Sequence, residues 1–288
     1  RTGIGRPILM EHTMLKALIL NDTSSYHNGC KQVMHYLRQD LANCGYTVAG
    51  AIVGRIEYLY HHEYDLRNID LVIINGEGSM HHDRLLPQAL LKVLTDAKKL
   101  GKKTALINTV WQAMSLTDEH KEVLQDTYIS VRECLSQQEF EKDNISSDIH
   151  LDLSYFADVP IRFDRPKNLV VGKFFSQKDW RPEQVPTIDI FKDSWNDVVQ
   201  KLSVTKWLVT GRHHEIYAAC KARCNFVALS GNTWKNEGLA KTANVDIIFK
   251  DEDLHHSEIP SFLAECKERS AEYTKLFDWM ESQTPFTI

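Results

Sequence analysis

The chain has 288 residues, 43% of them hydrophobic and 25% charged, an ordinary balance for a globular protein. Its 34 Lys and Arg against 39 Asp and Glu leave a net charge of −5, which offers no general attraction to nucleic acid or anionic lipid. Any anionic substrate must therefore be gripped by a few local cations. At roughly 100–200 residues per domain, this length suits two domains or one large one.

No apolar run reaches ~18 residues, so no spanning helix is expected. Residues 1–13 lack the apolar centre of a signal peptide and read as an added tail ahead of Met14, which makes the cytoplasm the expected location. Of the six cysteines, Cys220 and Cys224 are four apart, but no second close pair accompanies them. A structural zinc site needs paired short spacings, so buried free thiols in a reducing compartment are the expectation.

Residues 15–20 form a short apolar run and read as a buried strand. Val33, Leu37 and Leu41 then recur at helical spacing, and Gly45 ends that helix. Strands are predicted at 47–53 and at 69–74, the latter continuous and β-branched like a buried parallel strand. An amphipathic helix spans 85–100, with Pro87 in its first turn and Gly101 as its stop. Strands at 104–108 and 128–131 and a helix at 135–141 complete the first half.

Composition shifts between about Phe156 and Lys167, with Pro160 and Pro166 among charges. The boundary is placed there, giving an N-terminal acceptor-side domain at 14–158 and a C-terminal donor-side domain at 159–288. The second half repeats the rhythm. Strands are predicted at 169–174, 207–209, 226–229 and 245–249, helices at 190–202, 215–221 and 233–243, and one long terminal helix at 260–280. Strand alternating with helix argues for parallel sheets covered on both faces. The fold class is α/β, with two Rossmann-like domains facing a cleft. Ligands in such folds bind outside the carboxyl ends of strands, so the post-strand loops are the places to search.

Four loops stand out. Residues 21–30, Asn-Asp-Thr-Ser-Ser-Tyr-His-Asn-Gly-Cys, run into a helix whose N-terminus could hold an anion or a sugar hydroxyl; the alternative is a plain helix cap by Asn28 or Ser25. Residues 75–83, Asn-Gly-Glu-Gly-Ser-Met-His-His-Asp, combine two glycines for close backbone approach with Glu77, His81 and His82 for proton transfer; the alternative is a tight turn with surface histidines. The segment is neither a dinucleotide fingerprint nor a Walker loop. In Ser130-Val131-Arg132-Glu133, the arginine follows a strand and could bind two oxygens of a carboxylate or phosphate, or pair with Glu133 on the surface. In Thr210-Gly211-Arg212-His213-His214-Glu215, a permissive glycine, a cation and two imidazoles open a helix; the alternative is a helix start with solvated charges.

His81, His82, Asp83, His213 and His214 could in principle hold zinc, but no His-Glu-x-x-His pattern is present. No metal is expected. The pairs His61-His62 and His255-His256 read as surface. Phe174, Phe175 and Trp180 could stack on a sugar ring, although packing is the plainer role.

Taken in order, these loops resemble the polysaccharide pyruvyl transferase family. The likeness spans most of residues 16–245: Leu-Asn-Asp-Thr with His-Asn-Gly-Cys, Ile74 to Gly78 with His81, Ser-Val-Arg-Glu at 130–133, His150-Leu151-Asp152-Leu153, Thr210-Gly211-Arg212-x-His214, and 235–239. The resemblance implies a GT-B-like fold and transfer of a pyruvyl ketal from phosphoenolpyruvate to two hydroxyls of a sugar, in the building of cell-surface polysaccharide. It implies Arg132 and Arg212 as holders of the donor's carboxylate and phosphate, with Gly211 and His213 beside them, and His214, His81 and Glu77 as acid–base groups. Asp22, His27, Asn28, Gly76, Gly78, His82 and Trp111 are assigned to the acceptor. The partners implied are a carbohydrate acceptor and a small anionic donor, with no resident cofactor. A nucleotide-sugar glycosyltransferase on the same fold is the rival reading, and a non-catalytic carbohydrate-binding protein the third.

Overall fold

A computed structural model of the chain describes residues 14–61, 65–161, 167–174, 185–250 and 256–286. The tail at 1–13, His62, Pro166, Phe175, Trp180 and His255 lie outside the described residues. In chain order the first half runs β1 (Leu15–Asp22), α1 (Asn28–Asn43), β2 (Tyr46–Val53), α2 (Ile56–His61), β3 (Leu71–Glu77), α3 (Leu85–Lys99), β4 (Lys103–Thr109), α4 (Asp118–Gln125), β5 (Tyr128–Val131), α5 (Cys134–Glu141) and β6 (Asp148–Ile149). The second half runs β7 (Lys167–Val171), α6 (Trp195–Ser203), β8 (Thr205–Thr210), α7 (His213–Lys221), β9 (Asn225–Leu229), α8 (Lys235–Thr242), β10 (Phe249–Lys250), α9 (Ile259–Glu268) and α10 (Ser270–Glu281).

The first sheet has the order β2-β1-β3-β4-β5-β6, parallel throughout. Successive side chains of a strand face opposite ways, and both faces here are covered. Leu18, Leu20, Val72 and Ile74 pack with Ala89, Leu90 and Leu94 of α3. Ala17, Ile19, Leu71 and Ile73 pack with Val33, Met34, Leu37 and Leu41 of α1. Burial on two sides is why these strands are unbroken apolar runs. Because β1 pairs with both β2 and β3, the sheet grows in two directions from it. Such a switch leaves a crevice beyond the carboxyl ends of β1 and β3.

The second sheet has the order β10-β9-β8-β7, also parallel, and a separate core joins it to α6, α7, α9 and α10. The chain end then returns: Phe286 is buried in the first half's core, beside Tyr128 and His150. Among the described residues no helix is long and apolar enough to cross a membrane. All six cysteines are free thiols, and Cys30, Cys220, Cys224 and Cys266 are buried.

Several expected elements differ in extent. The strand expected to reach residue 174 ends at Val171, and the one expected at 245–249 is only Phe249–Lys250. The helix expected from residue 190 starts at Trp195, where the Ser194 side chain accepts from the Asp197 N–H. The expected long terminal helix is two helices, α9 and α10, separated at Arg269 (φ −99°, ψ 21°). The Arg269 guanidinium is tied to the carboxylate and carbonyl of Asp246 at this break. Phe262, Cys266, Tyr273 and Phe277 keep helical spacing across the break and are all buried, so periodicity alone could not reveal it.

Gly76 proves to be a packing position rather than an acceptor contact. A Cβ there would lie 2.2 Å from Thr109 Oγ1 and 3.0 Å from Thr109 Cα on β4. At Gly78 the nearest atom would be Lys235 Nζ at 3.6 Å. Gly76→Ala should lower unfolding free energy by about 1–3 kcal/mol. Gly78→Ala should stay within about 0.5 kcal/mol. Chemical denaturation of both variants checks the contrast.

Candidate active site

The carboxyl ends of β1, β3 and β5 face the loops after β8 and β9 across a cavity of about 510 Å³. The first half contributes Asp22, Thr23, His27, Cys30, Glu77, Gly78, His81 and Arg132; the second contributes Gly211, Arg212, His213, His214, Asn232 and Lys235. Two non-glycine residues at the ends of β1 and β3 are left-handed, Asn21 (φ 62°) and Glu77 (φ 37°). Such backbone is costly for side chains of this size and concentrates at functional sites. It is held by hydrogen bonds: Asn21 Nδ2 donates to the Asn75 carbonyl at 2.6 Å, while Glu77 accepts from Thr23 Oγ1 at 2.5 Å and Cys30 Sγ at 3.0 Å. The cap of α1 is His27, not Asn28 or Ser25; its Nδ1 accepts from the Cys30 N–H at 3.3 Å. Asp22 accepts from Arg38 and from the Ser24 N–H.

Arg132 and Glu133 point to different tasks, and neither is on the surface. Glu133 caps α5, accepting from the Leu135 and Ser136 N–H groups. Arg132 is 1% exposed and donates through Nη1 to Asp152 Oδ2 at 2.5 Å. Asp152 also lies 3.7 Å from His214 Nε2. Burial alone would raise the Asp152 carboxyl, but His214, Arg132 and His213 together hold it far below the usual carboxylate range. His214 itself is lowered, chiefly by burial, with Asp152 and Glu77 acting against that.

Helix α7 begins two residues earlier than expected, so both histidines are buried in its first turn. His213 Nδ1 pairs with Asn236 Oδ1 at 2.9 Å, and burial holds His213 well below the usual imidazole range. Arg212 Nε donates to the Phe174 carbonyl at 3.1 Å, and its guanidinium lies 5.4 Å from the centre of the Phe191 ring. Behind it the buried Glu215 accepts from Thr210 Oγ1, the Lys173 N–H and the Ile190 N–H. A Cβ at Gly172 would fall 2.0 Å from that carboxylate. Glu215 is raised to about 7, because burial outweighs its hydrogen bonds.

Other assigned residues fall elsewhere. Trp111 is 2% exposed and stacks on Phe140 at 4.4 Å, in the core and away from the cleft. Asn28 fastens the halves together: its N–H donates to the Ile190 carbonyl and its amide to the Asp193 carbonyl. His82 is exposed and pairs with His81 through Nδ1 at 2.7 Å. His81 is buried on the cavity wall and lowered to about 4 by burial, Arg84, His82 and Lys235.

Lys235, Asn232, Arg55 and Arg84 also line the cavity and had no role assigned from sequence. Lys235 Nζ donates to Asn232 Oδ1 at 2.8 Å, and its amine is lowered to about 8 by burial, Arg132 and Arg212. Applying the strand-end rule to β9 would have found it. Asp152, a lone acid between two leucines, carried the signal of a buried charge. Among the described residues, the group with metal-ligand spacing is His27, Cys30 and His214, not the five residues weighed from sequence.

No family model matches the chain, and no curated protein matches it in sequence, so the pyruvyl transferase resemblance rests on the ordered motifs alone. Solved structures are similar in fold. A functionally uncharacterised protein of Klebsiella pneumoniae is 12% identical, with a TM-score of 0.54 over 83% of this chain and 93% of that one. The spinosyn rhamnosyltransferase complexed with thymidine diphosphate is 9% identical, with a TM-score of 0.57 over 94% and 97%. Arabidopsis thaliana UGT89C1 complexed with quercetin is 9% identical, with a TM-score of 0.55 over 92% and 93%. The fold is therefore GT-B-like: two Rossmann-like units facing a cleft.

Two stability outcomes follow from the buried charges. Asp152→Asn strands the Arg132 cation and should cost about 3–5 kcal/mol; adding Arg132→Met should recover part of that loss in denaturant unfolding. The Glu215 carboxyl keeps a proton in the folded state from its ordinary 4.5 up to about 7, where the unfolded chain has lost it. Its contribution to stability therefore falls as pH rises through that window, by about 3 kcal/mol in all. Glu215→Gln should gain on the wild type by up to that amount between pH ~4.5 and ~8, read from paired unfolding curves.

Proposed function

We propose that the chain is a transferase that moves a pyruvyl group from phosphoenolpyruvate onto a sugar. The observation that carries this reading is the convergence of Arg212 and Lys235 with the Asp152–His214 pair and Glu77 on one cavity between two Rossmann-like units. Arg132 is committed to Asp152, so its role is to position Asp152 against His214. Arg212 and Lys235 clamp the donor's anionic groups.

The donor also prepares the acid. Burial lowers His214; Asp152 and Glu77 act against that, and the Arg132 and Lys235 cations add to it. An anionic donor offsets those fields, which raises His214 and lets it carry a proton. His214 gives that proton to the donor's methylene carbon; the double-bond pair forms the new C–H bond, and the adjacent carbon becomes oxocarbenium-like. A sugar hydroxyl adds there and loses its proton to Glu77 or His81. The C–O bond to phosphate breaks, phosphate leaves, and the second hydroxyl closes the ketal as its proton is taken up by the site. No metal takes part in these steps. A well-placed acid contributes roughly 10²–10⁴-fold, and the fixed cations act by preorganised electrostatics.

The second reading, transfer of a sugar from a nucleotide donor, is favoured by the fold likeness to the thymidine diphosphate complex of the spinosyn rhamnosyltransferase. In that reading Arg212 and Lys235 take the diphosphate. Thermal-shift measurements with phosphoenolpyruvate and several nucleotides side by side separate the two, since a bound ligand raises stability by mass action. The pyruvyl reading expects stabilisation by phosphoenolpyruvate; stabilisation by a nucleoside diphosphate alone overturns it. Arg212→Ala should cut kcat/KM for sugar-dependent phosphate release by roughly 10²–10³, and near-full activity in that variant would sink the clamp role.

A further inference from the structure

We propose that His27, Cys30 and His214 form a site for a thiophilic divalent cation, zinc above all, that joins the two halves of the protein across the cleft. One ring nitrogen from each histidine and the Cys30 sulfur all lie within 4.8 Å of one another. His27 Nε2 is 3.4 Å from Cys30 Sγ, and the two imidazoles are 4.8 Å apart and steeply inclined at 73°. With zinc–nitrogen and zinc–sulfur bonds of about 2.1 and 2.3 Å, tetrahedral ligand atoms sit roughly 3.4–3.7 Å apart. The His27–Cys30 pair already has that spacing, and His214 offers the third ligand atom within 4.8 Å of both.

The surroundings support ligation. His27 is fixed by its own cap, since Nδ1 faces the Cys30 N–H and leaves Nε2 beside the sulfur. His214 Nε2 is buried without a hydrogen-bond partner. A Cβ at Gly29 would lie 2.6 Å from His214 Cγ, so the glycine is what admits His214 so close to α1. On binding, the Cys30 S–H bond breaks, a sulfur–zinc bond forms, and the proton leaves to solvent. Glu77 Oε2, 3.0 Å from the sulfur, can accept a hydrogen bond from a water on the cation or ligate it. Two imidazoles and a thiolate suit zinc over magnesium or calcium. Arg212 and Lys235 favour an anion or water in the remaining position.

Bound zinc occupies His214, so it inhibits transfer; that consequence, unlike the binding itself, rests on the pyruvyl transfer reading. The test is titration of the metal-stripped full chain with Co²⁺, followed by Zn²⁺ competition. One equivalent of Co²⁺ should produce a thiolate-to-cobalt charge-transfer band and intense tetrahedral absorption. Cys30→Ser should abolish the band. Cys30→Ser and His27→Gln should each weaken zinc by more than the roughly 10–100-fold lost with a single supporting hydrogen bond. Cys44→Ser and Cys134→Ser should change neither. Metal-free unfolding curves confirm that each variant folds, and His27→Gln decides the matter should Cys30→Ser not fold. Absence of the band at one equivalent, or equal zinc affinity in the folded variants, overturns the site. In the wild type, zinc should suppress phosphate release and a chelator should restore it. Zinc bound through Cys30 and His27 in a protein that never turns over phosphoenolpyruvate supports the metal site and counts against the transfer reading, so the two fail separately.

Discussion

Asp152 sits where the chain leaves the first sheet, and its carboxylate is wholly buried with Arg132 on one side and His214 on the other. Charges taken out of water are tolerated only when partners meet them closely. Each of these three groups comes from a different element: the end of β5, the link between halves, and the start of α7. Satisfying one carboxylate thus sets how the halves approach. The same junction is reinforced nearby. Glu133 caps α5 against α8, where a Cβ at Gly238 would meet its carboxylate at 2.3 Å, and the Cys134 N–H donates to Thr242 Oγ1.

The cleft and the junction are consequently one structure. Polar residues at the strand ends divide into those that face the cavity and those that secure the walls. Arg212, Lys235, Glu77 and His81 face it. Asn28 and Glu215 spend their polar groups on backbone of neighbouring segments, and Glu133 on the first turn of α5. Glu215 is the clearest support, because it gathers the Lys173 and Ile190 N–H groups and Thr210 around the base of the Arg212 loop. A rigid wall of this kind is what lets two cations act on an anion without reorganising.

Likeness in fold to proteins 9–12% identical follows from how little sequence such a fold requires. Buried parallel strands need apolar runs, crossover helices need one apolar face, and the turns need a few special residues. Many sequences meet those terms. The site is far more specific, and neither the donor nor the acceptor follows from the fold.

The sequence by itself determined the alternating strands and helices, the parallel sheets and the post-strand loops that supply Arg132, Arg212, His214 and Glu77 to the cavity. All of these depend on local patterns: apolar runs, helical spacing, and polar clusters directly after strands. Only the tertiary structure decided which loop residues share a cavity. Trp111 looked available and is core, because its ring stacks on Phe140 from another element. Gly76 looked like a ligand contact and is packing, because β4 runs against it. The break at Arg269 was invisible because the apolar stripe continues through it. Asp152 and Lys235 gain their roles from partners distant in sequence. Burial and pairing are properties of the packed chain, and no local pattern records them.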